Sequence, residues 1–122
     1  MKRIFFLAIA LALCACATNL PATTPAQGVF AARGVFSGAL DVANRYKALP
    51  PCGTPMVIVC STPAVVTTLQ QVANSTNAVL DSAEATVRNP AFAGSTASEK
   101  ALAAAQAAVE ALTAITGTLK LQ

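Results

Sequence analysis

Between Pro63 and Arg88 the positions Val65, Leu69, Val72, Thr76, Val79, Ala83 and Val87, all apolar but the threonine, recur at intervals of four and three. The polar Gln70, Asn74, Asn77, Asp81, Glu84 and Arg88 fall mostly between them. That is the period of an amphipathic helix with one buried stripe. Leu102, Ala105, Val109, Leu112, Ile115 and Leu119 keep the same rhythm further on, and Val29, Ala32, Phe36, Ala39, Ala43 and Tyr46 trace a less clean face nearer the start.

Helix punctuation falls where the periodicity begins and ends. Thr24-Pro25-Ala26-Gln27 offers a threonine cap, proline in the first helical position and glutamine to close a capping box. Thr62-Pro63 repeats the cap and proline, and Thr96-Ala97-Ser98-Glu99 reads as a second capping box. Leu49-Pro50-Pro51 and Asn89-Pro90 are stops, because the residue before a proline is pushed out of helical geometry. The expected elements are helices over about 25–48, 63–88 and 97–119, each roughly 36 Å long. Three amphipathic helices on short connections imply one all-α domain over 25–122, an antiparallel three-helix bundle.

Its core is expected to be thin, since alanine dominates the third helix and favours helix while burying little area. The spacing Gly34-Val35-Phe36-Ser37-Gly38 puts two glycines on the first helix, each costing about 1 kcal/mol against alanine. Close packing of another helix, most simply within the monomer, would offset that cost. A second copy of the chain is the alternative.

The chain before residue 25 has a different character. Lys2 and Arg3 precede the uncharged run from Ile4 to Leu13, which is short of the about 20 apolar residues a spanning helix needs. A basic start, a short apolar core and small residues after it read as a signal peptide over 1–15. Leu13-Cys14-Ala15-Cys16 resembles the lipobox of bacterial lipoproteins, with leucine three residues before the cysteine and a small residue just before it. The resemblance implies cleavage before Cys16, which would carry a diacylglyceryl thioether and an acylated amine, palmitate among its chains, and would hold the protein on a membrane. Cys14 fits worse, because Leu13 stands where a small residue is wanted. Ala15-Cys16-Ala17 also fits ordinary secretion. Ala17 after the lipidated cysteine implies, by resemblance to enteric lipoproteins, the outer membrane, facing the periplasm. Small and polar residues with one proline then form a tether, the lipidated N-terminus and tether together covering 16–24. Its eight residues after Cys16 reach at most about 26–29 Å.

Cys52 and Cys60 remain. In an exported chain an even pair reads first as a disulfide, and the ring would contribute roughly 2.5–3 kcal/mol by closing a loop in the unfolded chain. Two cysteines in a chain with no histidine cannot make a closed zinc site alone, and a redox pair would read C-x-x-C. Inside the ring lies the apolar run Met56, Val57, Ile58, Val59. It either plugs one end of the bundle or offers a contact to a partner.

Charge and chemistry narrow the functional classes. Removing residues 1–15 leaves six basic against five acidic residues, a net charge of +1. The cations are scattered, with no stripe suited to a phosphate backbone, so nucleic acid is not an expected partner. Asp41, Asp81, Glu84, Glu99 and Glu110 read as solvated helix faces. No phosphate loop, nucleophile elbow or metal cluster appears, so no catalytic residue, metal or cofactor is expected. The composition as a whole resembles small Ala-rich lipoproteins of Gram-negative bacteria and their phages or prophages. The leading expectation is a non-enzymatic envelope lipoprotein that binds membrane lipid through Cys16 and an envelope protein through its helical part. Alternatives are a phage-encoded lysis or superinfection factor at the outer membrane, and a periplasmic carrier of a small apolar ligand.

Overall fold

The computed structural model describes residues 24–53, 55 and 59–119. The expected signal peptide over 1–15, Cys16 and the tether up to residue 23 lie outside the described residues, as do Met56, Val57 and Ile58.

Three helices form: α1 (Pro25–Lys47), α2 (Pro63–Arg88) and α3 (Thr96–Leu119), with one 3-10 turn, Pro90–Phe92, between the last two. Each helix packs against both others. The chain runs up, down and up, so the α2–α3 connection lies beside the start of α1 and the α1–α2 connection caps the opposite end. This is an all-α antiparallel three-helix bundle with one disulfide-closed loop.

The caps follow the sequence in two places and depart from it in two. Thr24 has extended backbone, and its hydroxyl accepts from the Gln27 amide at 3.3 Å. The stop at Asn89-Pro90 doubles as a new start, because the Asn89 side chain accepts from the Ala91 amide at 3.0 Å and opens the 3-10 turn. Thr62 sits at the N-cap of α2 but makes no side-chain cap bond. Thr96 is not the cap of α3 but its first residue. The opening turn instead closes on the Ser95 carbonyl, which accepts from Ser98 and Glu99 at 3.1 and 3.3 Å. Gly94, at φ +68°, reverses the chain just before it, a conformation that costs glycine nothing.

All six positions expected on the face of α1 are buried, from Val29 to Tyr46. On α2 the buried residues are Leu69, Thr76, Leu80 and Ala83, with Val65, Val72 and Val87 packed at the margin. Leu80, fully buried, lies one position beyond Val79 in the expected stripe. On α3 Ala105, Val109 and Leu112 turn inward and Leu102, Ile115 and Leu119 flank them. Five of the twelve buried apolar residues are alanines, Ala32, Ala39, Ala43, Ala83 and Ala105, so the helices approach closely and the core is thin. Thr76 exploits that proximity. Its buried hydroxyl donates to the Ala108 carbonyl of α3 at 3.2 Å, which removes the penalty of an unpaired polar group inside.

The glycine pair is a correction. Gly34 and Gly38 are exposed, and a Cβ at either would meet nothing within 4 Å. No helix of the monomer packs on them. Close approach occurs instead at buried Gly28, where a Cβ would stand 2.6 Å from Leu102 Cδ1. Periodicity could not have distinguished these glycines, because the GxxxG spacing is a local pattern and the partner helix chooses its own height.

Gly34→Ala and Gly38→Ala should therefore each raise stability by about 0.5–1 kcal/mol, the ordinary helical gain. Gly28→Ala should gain nothing, because the new methyl displaces Leu102. Chemical denaturation of the three variants checks this, and a loss at Gly34 or Gly38 would mean that something outside the monomer packs there.

Candidate functional site

The two ends of the bundle differ in chemistry. At the far end, Lys47 gives way to Ala48 and Leu49, and the chain then enters the ring between Cys52 and Cys60, which are disulfide-bonded with Cα atoms 4.9 Å apart. Backbone bonds pinch the ring's neck. The Cys52 amide donates to the Ser61 carbonyl at 3.0 Å and the Ser61 amide to the Pro50 carbonyl at 2.9 Å, while the Ser61 hydroxyl donates to the Leu49 carbonyl at 3.0 Å. Gly53, at φ +101°, makes the turn into the ring that side chains resist.

Tyr46 fastens this neck to the helices. Its ring is buried in the last turn of α1, and its hydroxyl accepts from the Thr62 amide at 3.1 Å. It thereby holds the N-cap residue of α2 through that residue's own amide, a different donor from the first-turn amides that the Thr62 side chain leaves uncapped. The sequence signal was modest: the chain's single tyrosine, in the last helical turn before a proline pair. Of the four residues expected as a partner contact, Val59 is described, and it is 50% exposed.

Toward the opposite end a charge cluster joins α1 to α2. The Arg33 guanidinium donates to Glu84 at 2.6 Å, to Asn77 at 2.7 Å and to Asp81, and Asn77 donates in turn to Asp81 at 3.0 Å. Glu84 also pairs with Arg88 at 3.3 Å, and the Arg88 guanidinium lies over the Phe30 ring, 5.5 Å from its centroid. Two of the carboxylates read as solvated faces are thus the clamp on Arg33. Nothing along the sequence marks a pairing across some fifty residues between two helices. The Glu84 and Asp81 carboxylates hold the Arg33 guanidinium above its already high ordinary value. A group shifted upward keeps its contribution below its unfolded value and loses it only as pH rises through the folded one, so no titration of Arg33 loosens the bundle near neutrality.

Chemistry beyond this is sparse. Among the described residues no cluster of three or more His, Cys, Asp or Glu could hold a metal ion. The bundle axis is filled by Val29, Leu80, Ala105 and Leu112. The hollows lie on the surface: a cleft of about 60 Å³ between Leu40, Val66 and Leu69, and an open groove of about 440 Å³ beside the start of α1 between Pro25, Val87 and Gly94. Helix α3 is long and apolar enough to cross a membrane by length and composition. Here its Ala105, Val109 and Leu112 face the other helices, and its outward face carries Glu99, Lys100, Gln106 and Glu110 among alanines. No protein family, curated protein or solved structure matches the chain.

Two measurements test the fastenings. Cys52→Ser should lower the denaturation midpoint by an amount equivalent to about 2–3 kcal/mol while leaving helical circular dichroism intact, and unchanged stability would remove the ring from the energetics. A double-mutant cycle between Arg33→Met and Glu84→Gln should return about 0.5–2 kcal/mol of coupling. The same cycle on the exposed pair Asp41–Arg45 should return only about 0.3–0.5 kcal/mol.

Proposed function

We propose that the chain is a lipid-anchored, non-enzymatic interaction module of the cell envelope, held by Cys16 at the outer membrane and presenting the disulfide-closed ring to a protein partner in the periplasm. The observation that carries this reading is the polarity of the bundle. The chain enters at Thr24, while the ring closes the other end of the 23-residue α1, about 35 Å away. An anchor at one end and a stapled loop at the other is the arrangement of a post that displays a contact at a fixed height. Disulfide closure suits display, because a loop already restricted loses less freedom when a partner seats on it. Val59, half-exposed beside Cys60, supports an outward apolar contact. A carrier of small apolar ligands has less support, since filled side chains occupy the axis. A phage lysis or superinfection role would use the same post with a different partner.

The test has two stages. The intact mass of protein purified from membranes should equal residues 16–122 plus acyl chains and should gain two hydrogens on reduction. A photo-crosslinker in place of Val59 should then trap one envelope protein, whereas the same crosslinker at Ala107, on the flank, should not. An unacylated mass would sink the anchor, and equal trapping at both positions would sink the display.

A further inference from the structure

The tether end carries two exposed aromatic side chains. Phe30, in the second turn of α1, is 49% exposed, and Phe92, in the 3-10 turn, is 41% exposed. Pro90, Ala91 and Ala93 around Phe92 are exposed as well. The other two exposed large apolar side chains, Val35 midway along α1 and Val59 at the ring, are aliphatic. Burying an aromatic ring is among the most favourable events open to a surface, so two exposed rings at one end call for an explanation.

Phe92 does not sit on a loose loop. Its carbonyl accepts three hydrogen bonds: from the Ser95 amide at 3.0 Å, the Ser95 hydroxyl at 2.7 Å and the Ser98 hydroxyl at 2.6 Å. Asn89 caps the same turn from the other side through the Ala91 amide. Six polar groups over ten residues therefore hold an apolar tip outward. Arg88 stands four residues before Phe92, its guanidinium over the Phe30 ring and its side chain 64% exposed. An aromatic body with a cation at its edge matches the boundary of a bilayer, where rings enter the acyl region and guanidinium groups stay with the phosphates.

The geometry points to this end of the bundle as a lipid-docking surface: Phe92 and Phe30 insert into the leaflet that holds the acylated Cys16, and Arg88 rests among the headgroup phosphates. This rests on the lipid-anchor reading. The occupant follows from where the chain ends. The eight residues from Ala17 to Thr24 reach at most about 26–29 Å, and they join the bundle beside Pro25, on the rim of the groove formed with Val87 and Gly94. A chain that short keeps its bilayer at an effective concentration on the order of millimolar or above. The acyl chains supply the affinity. The aromatic tip sets the orientation, holding the bundle axis up from the membrane so that the ring stands at one height rather than sweeping a hemisphere.

The chain has no tryptophan, so a single introduced indole is an unambiguous probe. Full-length acylated protein carrying Phe92→Trp, its acylation verified by mass, is placed in phosphatidylcholine vesicles with brominated acyl chains. Docking predicts a blue-shifted emission quenched at least twofold relative to unbrominated vesicles. The same measurement on Val59→Trp, at the far end, should show no quenching. A ten-residue Gly/Ser insertion before Thr24 separates docking from mere nearness: quenching of the Phe92→Trp protein should persist, because an inserted side chain stays inserted on a longer leash. Acylated, vesicle-bound protein whose emission is unquenched, or whose quenching vanishes with the insertion, overturns the docking surface while leaving the anchor standing. A mass without acyl chains overturns both.

Discussion

With alanine at so many inward positions, the distance between the helices is set by small side chains, and most other features of the bundle follow from that closeness. Small residues let backbones approach, but each contributes little buried area. The largest fully buried side chains are Leu80, Leu112, Val29 and Thr76. A core so built has little surplus over the entropy of ordering the chain, which is the usual predicament of domains of this size. Closeness also creates its own opportunities. The Thr76 hydroxyl can reach the Ala108 carbonyl only because no bulky side chain stands between α2 and α3, and Gly28 can lie against Leu102 only because it has no Cβ.

A thin core gives weight to the groups that tie the helices together. They are distributed along the axis rather than concentrated. At the ring end the disulfide and the Tyr46–Thr62 bond fix the α1–α2 crossing, and nearer the start of α1 Arg33 bridges to Asp81 and Glu84 of α2. Helix α3, which has no ion pair with its neighbours among the bridges seen here, is held by its apolar stripe and by the serines that join its start to the Phe92 carbonyl. Charge thus serves α1 and α2, whose outer faces are polar, and packing serves α3.

How much of this the sequence could reveal depends on the range of the interaction. Helix identity and limits were legible because period and punctuation are local: the ranges about 25–48, 63–88 and 97–119 differ from Pro25–Lys47, Pro63–Arg88 and Thr96–Leu119 by a residue at most. The inward face of α1 was legible even though its pattern looked least clean, since Phe36 and Tyr46 mark it among alanines. The disulfide was legible from the pairing of Cys52 with Cys60 over a short loop. What failed was contact between distant segments. Arg33 and Glu84 carry no mutual signature, Leu80 was passed over because Val79 fitted the spacing equally well, and the Gly34–Gly38 motif suggested a neighbour that the third dimension places elsewhere. The start of α3 at Ser95 was missed because it rests on the Ser95 carbonyl while the Ser95 hydroxyl donates back to Phe92, neither of which a capping-box pattern marks.

The two ends complete the picture of a polarised object. One end is closed covalently, its neck pinched by three hydrogen bonds and its apolar Val59 turned outward. The other is closed by hydrogen bonds alone, which spread over the 3-10 turn and hold Phe92 at the surface. A soluble bundle with no direction to its work would gain by burying both, since each exposed ring or branched side chain invites association. Among the described residues the exposed large apolar side chains are Phe30 and Phe92 at one end, Val59 at the other and Val35 midway along α1, so most of the apolar exposure lies at the ends, a distribution suited to contacts made end-on. The proposed tether, joining the bundle at Thr24, would supply the axis that such contacts need, because it would distinguish near from far. The disulfide, the Tyr46–Thr62 bond and the arginine clamp tie α1 to α2 along their length, and on the proposed reading that rigidity would matter more than stability, because it would fix the spacing of the two ends, which a thin alanine core holds less firmly by packing alone.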